Sequence, residues 1–143
     1  MHFGYHNAMD DDELRHLLTD SATWAVVGLS TNTMRPAYGV ARFLQSAGKR
    51  IVPVHPRAET VHGELGYRTL AEIPFGVDVV DVFVNSQRAG AIADEALGTK
   101  AGAVWFQLGV IDEAAAQRVR DAGRLMVMDR CPAIEWPRLG LPR

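Results

Sequence analysis

Residues 24–48 read WAVVGLSTNTMRPAYGVARFLQSAG, and the reading of the fold starts there. The run from Trp24 to Val27 is short and apolar, and Gly28 and Ser30 close it. Runs of that kind suit a strand covered on both faces of a parallel sheet. Pro36 suits the first turn of a helix, where its fixed φ is already helical and its missing N–H would have had no partner. Val40, Phe43, Leu44 and Ala47 then recur at i, i+3, i+4 and i+7, one apolar stripe along a helix. Gly48 stands where a helix C-terminal glycine belongs.

The same alternation continues on both sides. Asp10 with Glu13 has the form of a capping box and predicts a short helix through about Thr19. Arg50 to Pro56 predicts a second strand with a rigid exit, and Thr69 with Glu72 a short helical turn that Pro74 stops. Asp78 to Val84 is a third strand, rich in β-branched residues. Ser86 is expected to cap a helix carrying Ile92, Ala93, Ala96 and Leu97, stopped by Gly98. Ala103 to Leu108 is a fourth strand. Asp112 caps a helix with Ala115, Val119 and Ala122, and Gly123 ends it. Leu125 to Met128 is a fifth strand, and the last ten or so residues carry no readable pattern.

Strands alternating with helices predict an α/β domain: a Rossmann-like, doubly wound parallel sheet of about five strands. The expected strand order is 3-2-1-4-5. Residues 1–20 read as a tail with a short helix and 21–143 as the single Rossmann-like domain. At 143 residues, 48% hydrophobic and 22% charged, the chain is one domain long and has an ordinary globular composition. Its net charge of −2 offers phosphate backbones no general attraction, which argues against nucleic acid as partner. One cysteine makes no internal disulfide, and neither a secretory leader nor a membrane span is visible, so a cytoplasmic protein is expected.

In such sheets ligands sit beyond the C-terminal ends of the strands, at the point where the strand order reverses. The first loop there, Gly28 to Tyr38, combines a glycine that admits close backbone approach with short hydrogen-bonding side chains from Ser30 to Thr33. Arg35 adds a planar cationic fork. That chemistry suits phosphate. The dinucleotide pattern G-x-G-x-x-G is absent, and the exit of strand two carries His55-Pro56-Arg57 where a NAD site would place a carboxylate. A carboxylate repels a phosphorylated ribose and Arg57 attracts one. The residues therefore point to NADP or to coenzyme A.

Taken together, VGLSTNTMRPAYGVARFL, RIVPVHP with HGELGYRTLAEIP, DVVDVFVNS, VWFQLGV and MDRCPAIEWPRL resemble the small stand-alone CoA-binding domain proteins. These are similar to the N-terminal domain of the succinyl-CoA synthetase alpha subunit. The resemblance spans about residues 20–139. It implies ligand contacts from Gly28, Ser30, Arg35 and Tyr38, from Pro53, Val54 and Pro56 at the exit of strand two, and from Asn85 at the exit of strand three. Gln107 and Gly109 would lie along the ligand's route. The chain departs from the family pattern at His55, where Asn is frequent, at Val84, where Arg is frequent, and at Trp136, which follows Glu135 where His is frequent.

The expected function is a non-catalytic module that binds CoA or an acyl-CoA, as a sensor, carrier or regulator of a partner enzyme. Pro36 opens the helix beside the phosphates, Pro53 and Val54 form a shelf for adenine, and Arg57 or Lys49 meets the ribose phosphate. Cys131 should face the same crevice, where a thiol can meet that of CoA. The alternatives are a small NADP-dependent reductase and a structural subunit without ligand. Asp78 and Asp81, three residues apart on a strand, point to opposite faces and read as hydrogen-bonded structural groups. His2 and His6 lack the carboxylate or cysteine support of a metal site.

Overall fold

The computed structural model describes residues 9–143. The capping box is present: Asp10 Oδ1 accepts the Glu13 amide at 2.8 Å and Glu13 Oε1 accepts the Asp10 amide at 3.1 Å. It opens α1 (Asp11–Asp20). There follow β1 (Thr23–Val27), α2 (Pro36–Ser46), β2 (Arg50–Val54), a single 3-10 turn (Leu70–Glu72), β3 (Val79–Val82), α3 (Ser86–Leu97), β4 (Ala103–Phe106), α4 (Glu113–Asp121), β5 (Leu125–Val127) and α5 (Pro132–Arg138). The five strands form one parallel sheet with helices on both faces, a Rossmann-like α/β domain.

The strand order is β2-β1-β3-β4-β5, not the expected 3-2-1-4-5. β3 pairs with β1, in the register Trp24 opposite Val79 and Val27 opposite Val82. The reason lies in residues 55–78, which link β2 to β3 without an α-helix. Leu70 of the 3-10 turn, with Tyr67, Ile73 and Phe75, packs on the sheet face that α3 and α4 cover. α2 covers the other face. Right-handed crossovers change face when the chain reverses its direction across the sheet. β3 must then lie on the far side of β1 from β2. Asp78 fastens the join: its Oδ2 accepts the amides of Ala22 and Thr23 at 3.0 and 2.9 Å.

Two apolar layers result. Ala89, Ala93 and Ala96 of α3 and Ala115, Ala116 and Val119 of α4 lie against Val80, Val82, Val104 and Phe106. On the other face Leu14, Leu17 and Leu18 of α1, Ala37, Ala41 and Leu44 of α2, and Trp136 of α5 cover Trp24, Val26, Val79 and Trp105. The Trp24 and Trp105 rings sit 5.6 Å apart between centroids, and both are core residues. The α2 stripe is rotated from the expected one. Ala37, Ala41 and Leu44 are buried, while Val40, Phe43 and Ala47 are half-buried at its edge.

α5 is the element the sequence left unread. Glu135, 5% exposed, accepts from Arg130 at 2.9 Å and from Arg138 at 2.9 Å. Arg138 also reaches Asp11 at 2.9 Å, tying α5 to α1 and holding the Asp11 carboxyl below its usual range. Asp81 departs from expectation too. It is fully buried between Val26 and Trp105 on the neighbouring strands, and neither carboxylate oxygen has a hydrogen-bond partner. Burial alone drives its pKa well above the usual carboxylate range.

Candidate functional site

The order 2-1-3 makes the exits of β1 and β3 the place where the chain reverses, and there a crevice of about 820 Å³ opens. That volume is in the range of small-ligand sites, roughly 300–1,000 Å³. Gly28 ends β1 with φ of +104°, and a Cβ there would stand 3.2 Å from the Phe83 Cβ. Backbone conformation and close approach both demand glycine at this step. Ser30 is buried and its Oγ accepts the Asn32 amide at 3.2 Å; Asn32 Oδ1 accepts the Met34 amide at 3.0 Å. These bonds shape the loop that delivers Arg35 to the N-terminus of α2, where Pro36 is the first helical residue and no side chain caps the end.

Four arginines line the crevice: Arg35, Arg57, Arg68 and Arg88. Arg57 lies 3.6 Å from Glu59, and Arg68 lies 4.0 Å from Glu72. Arg35 and Arg88 have no carboxylate within ion-pair distance among the described residues. Arg88 stands in the first turn of α3, a helix whose first turn holds no acidic residue. A cation there opposes the helix macrodipole. The starts of α2 and α3 thus bring two guanidiniums and the positive ends of two helices to one crevice, and among the described residues no carboxylate pairs with either guanidinium. His55 reports this field. Burial first, then Arg57, with Arg35 and Arg88 behind, hold its imidazole below the usual 6.5. Its Nδ1 accepts the Arg57 amide at 3.2 Å, which leaves the proton of the neutral ring on Nε2.

The opposite end of the crevice is neutral. Gln107, 5% exposed at the exit of β4, has an Oε1 with no partner. Cys131, 6% exposed beyond β5, is the chain's single thiol. The loops between these ends are laced together. Ser86 Oγ donates to the Gly109 carbonyl at 3.2 Å and accepts the Ile111 amide at 2.9 Å, and the Gly109 amide donates to Asp129 Oδ1 at 2.8 Å.

Of the residues the sequence singled out, Gly28, Ser30, Arg35, Pro36, Val54, Pro56, Arg57, Asn85, Gln107 and Cys131 line this crevice. Three do not. Tyr38 is turned to His62, its carbonyl 2.8 Å from the His62 Nε2 and its ring 4.3 Å from the imidazole. Pro53 is buried within β2 and does not line the crevice, whereas Val54 and Pro56 do. Gly109, with φ of +79°, shapes the loop after β4 without entering the lining. Lys49 is at the other end of β2, its Nζ donating to the Thr19 carbonyl at 3.2 Å. Thr31 is also committed: its amide and hydroxyl both donate to Glu59, at 3.1 and 3.2 Å. Asn85, not Ser86, caps α3, accepting the Arg88 amide at 3.1 Å. His2 and His6 lie outside the described residues; among those described, no group of three potential ligands is placed to hold a metal ion. No helix among them is long and apolar enough to cross a membrane.

Sequence reasoning missed Arg88, Phe83 and Leu108 as lining residues. A signal for Arg88 existed: a lone basic residue in the first turn of a helix otherwise free of charge there.

The chain is thus a Rossmann-like α/β domain with a cationic crevice at its switch point, where ligands of such sheets bind. Comparison narrows this. The family model for the CoA binding domain matches residues 22–137, and the chain belongs to that family. It is 36% identical over 119 residues to the uncharacterised protein YneT of Bacillus subtilis, covering 83% of this chain and 88% of that one. Its structure is similar to a hypothetical protein from Pyrococcus horikoshii, with TM-score 0.88, 32% identity, and 93% and 94% of the two chains covered. A Thermus thermophilus structure matches with TM-score 0.85, 34% identity, and 92% and 99% coverage.

Proposed function

We propose that this protein is a non-catalytic module that holds coenzyme A or an acyl-CoA and presents it to, or reports it to, a partner enzyme. One observation carries the reading. Arg35 and Arg88 face one crevice from the starts of two helices, and no carboxylate of the described chain pairs with either. Unneutralised cations held beside helix N-termini suit an anionic group such as a diphosphate. In this arrangement Arg35, Ser30 and Arg88 take the diphosphate. Val54 and Pro56 lie under the adenine, and Arg57, its charge shared with Glu59, meets the ribose phosphate. The neutral end, at Gln107 and Cys131, receives the pantetheine arm. Arg88 supplies a charge on the β3 side of the crevice that Val84 does not.

The test is a thermal melt with CoA, acetyl-CoA, NADP and NAD at equal concentration. A ligand present at about 100 times its Kd adds about 2.7 kcal/mol, or roughly 5–10 °C for a domain of this size. CoA or acetyl-CoA is expected to give the largest rise. A rise with NADP alone would return the reductase reading, and none with any ligand the structural one.

A further inference from the structure

We infer that Cys131 is a modification site for the ligand's own thiol: it exchanges with CoA disulfide to give a Cys131–CoA mixed disulfide. This rests on the CoA reading above and goes beyond it. Two independent observations meet at one end of the crevice. The first is the thiol. Cys131 is 6% exposed and lines the crevice, so a disulfide reaches it along that route. Its backbone is held on both sides. The Cys131 carbonyl accepts the amides of Ile134 and Glu135 at 3.0 and 2.9 Å, and the Arg130 carbonyl accepts the Trp105 indole N–H at 2.8 Å. The second is Gln107. Its side chain is buried in the wall of the same crevice with Oε1 unpaired. A buried acceptor left unpaired is costly, and a ligand that donates a hydrogen bond there recovers that cost. The pantetheine arm carries amide N–H groups followed by a thiol, and it is thin enough to enter a crevice that hides the sulfur from bulk. An amide of the arm donating to Gln107 sets the sulfur on course for Cys131.

The exchange balances without another oxidant. The Cys131 thiol loses its proton, and its sulfur attacks one sulfur of CoA disulfide. The S–S bond between the two CoA units breaks as the new one forms, and the departing CoA sulfur takes up the proton as free CoA thiol. One disulfide is consumed and one is made. The protein thus stores CoA covalently when the pool is oxidised and releases it when thiols are in excess.

The experiment treats the reduced, unaltered protein with CoA disulfide, and separately with oxidised glutathione at equal concentration, and follows intact mass. Binding of CoA, and of a CoA analogue without the thiol, is measured by calorimetry on the same sample. The expected result is a gain of one CoA unit, reversed by dithiothreitol. It should form about tenfold or more faster than the glutathione adduct, because docking places the reacting sulfurs together. The thiol-free analogue should block the reaction, and Cys131→Ser should gain no mass. If CoA binds but its disulfide labels no faster than glutathione, or the analogue gives no protection, the covalent step is wrong and the binding reading stands. If neither CoA nor the analogue binds, both are wrong. Because the decisive comparison uses the native chain, it does not depend on the folding of any variant.

Discussion

The two ends of the crevice are built on opposite principles. At the exits of β1 and β3 the lining is charged: Arg35 and Arg88 unpaired, Arg57 beside Glu59, and His55 among them. At the exits of β4 and β5 it carries no arginine, and Gln107 and Cys131 are each about nineteen-twentieths buried. The first end offers long-range attraction that any phosphate feels. The second offers one acceptor and one thiol that only a particular chain of atoms satisfies. On the proposed reading the charged end sets affinity, and the neutral end sets which charged ligand is kept.

The largest effect should come from the charged end. Each charge-assisted hydrogen bond to phosphate is worth about 1.5–3 kcal/mol, roughly 10–100-fold in Kd. Arg35→Ala with Arg88→Ala should weaken CoA by about two to three orders of magnitude in calorimetry, each alone by about one. The melting temperature without ligand should hardly move, because neither guanidinium has a charged partner among the described residues. An unchanged Kd would break the comparison outright.

The neutral end should give a smaller and selective loss. Gln107→Leu should cost CoA about 5–10-fold while leaving 3′,5′-ADP, which lacks the pantetheine arm, unaffected. Equal losses for both ligands would mean that Gln107 acts on the charged end. The same variant should melt no lower than the parent, since it removes a buried acceptor that has no partner.

The smallest effect concerns His55. An anion docked among Arg35, Arg57 and Arg88 relieves the repulsion that helps to depress the imidazole, and its pKa rises on binding. Affinity for CoA should then increase as pH falls from 7.5 to 6, by about 2–3-fold more in the parent than in His55→Asn. Calorimetry in buffers of different ionisation heat would show the matching proton uptake, and equal pH profiles for the two proteins would place the anion elsewhere. In the free protein the sign is reversed. The depressed value makes the contribution of His55 to stability present above about 6.5 and lost as pH falls through its folded-state pKa.

Local chemistry was readable in the sequence wherever the interaction spans a few residues. The capping box of Asp10 and Glu13, the cap at Asp112, the turn at Gly28 and the entry at Pro36 each follow from neighbours in the chain. The misreadings share another cause. Asn85 and Ser86 are both good caps, and the choice fell to Asn85 because Ser86 bonds to the loop after β4. Pro53 looked like a shelf because strand parity does not say which face of the sheet a ligand meets. Asp81 has no partner because the strands and helices that surround it are distant in the chain.

By itself the sequence determined the succession of strands and helices, because apolar period, caps and turn residues act over one or two turns of chain. It also determined which residue types the first loop carries, a glycine, short hydrogen-bonding side chains and Arg35. Only the tertiary structure decided the order of the strands, since apolar strands pair equally well with several neighbours and the face taken by residues 55–78 selects among them. The same choice brought Arg88 opposite Arg35, and it left Gln107 and Cys131 together at the far end of one crevice. Sites of this kind are assembled from the ends of strands that are far apart in the chain, and no local pattern records their meeting.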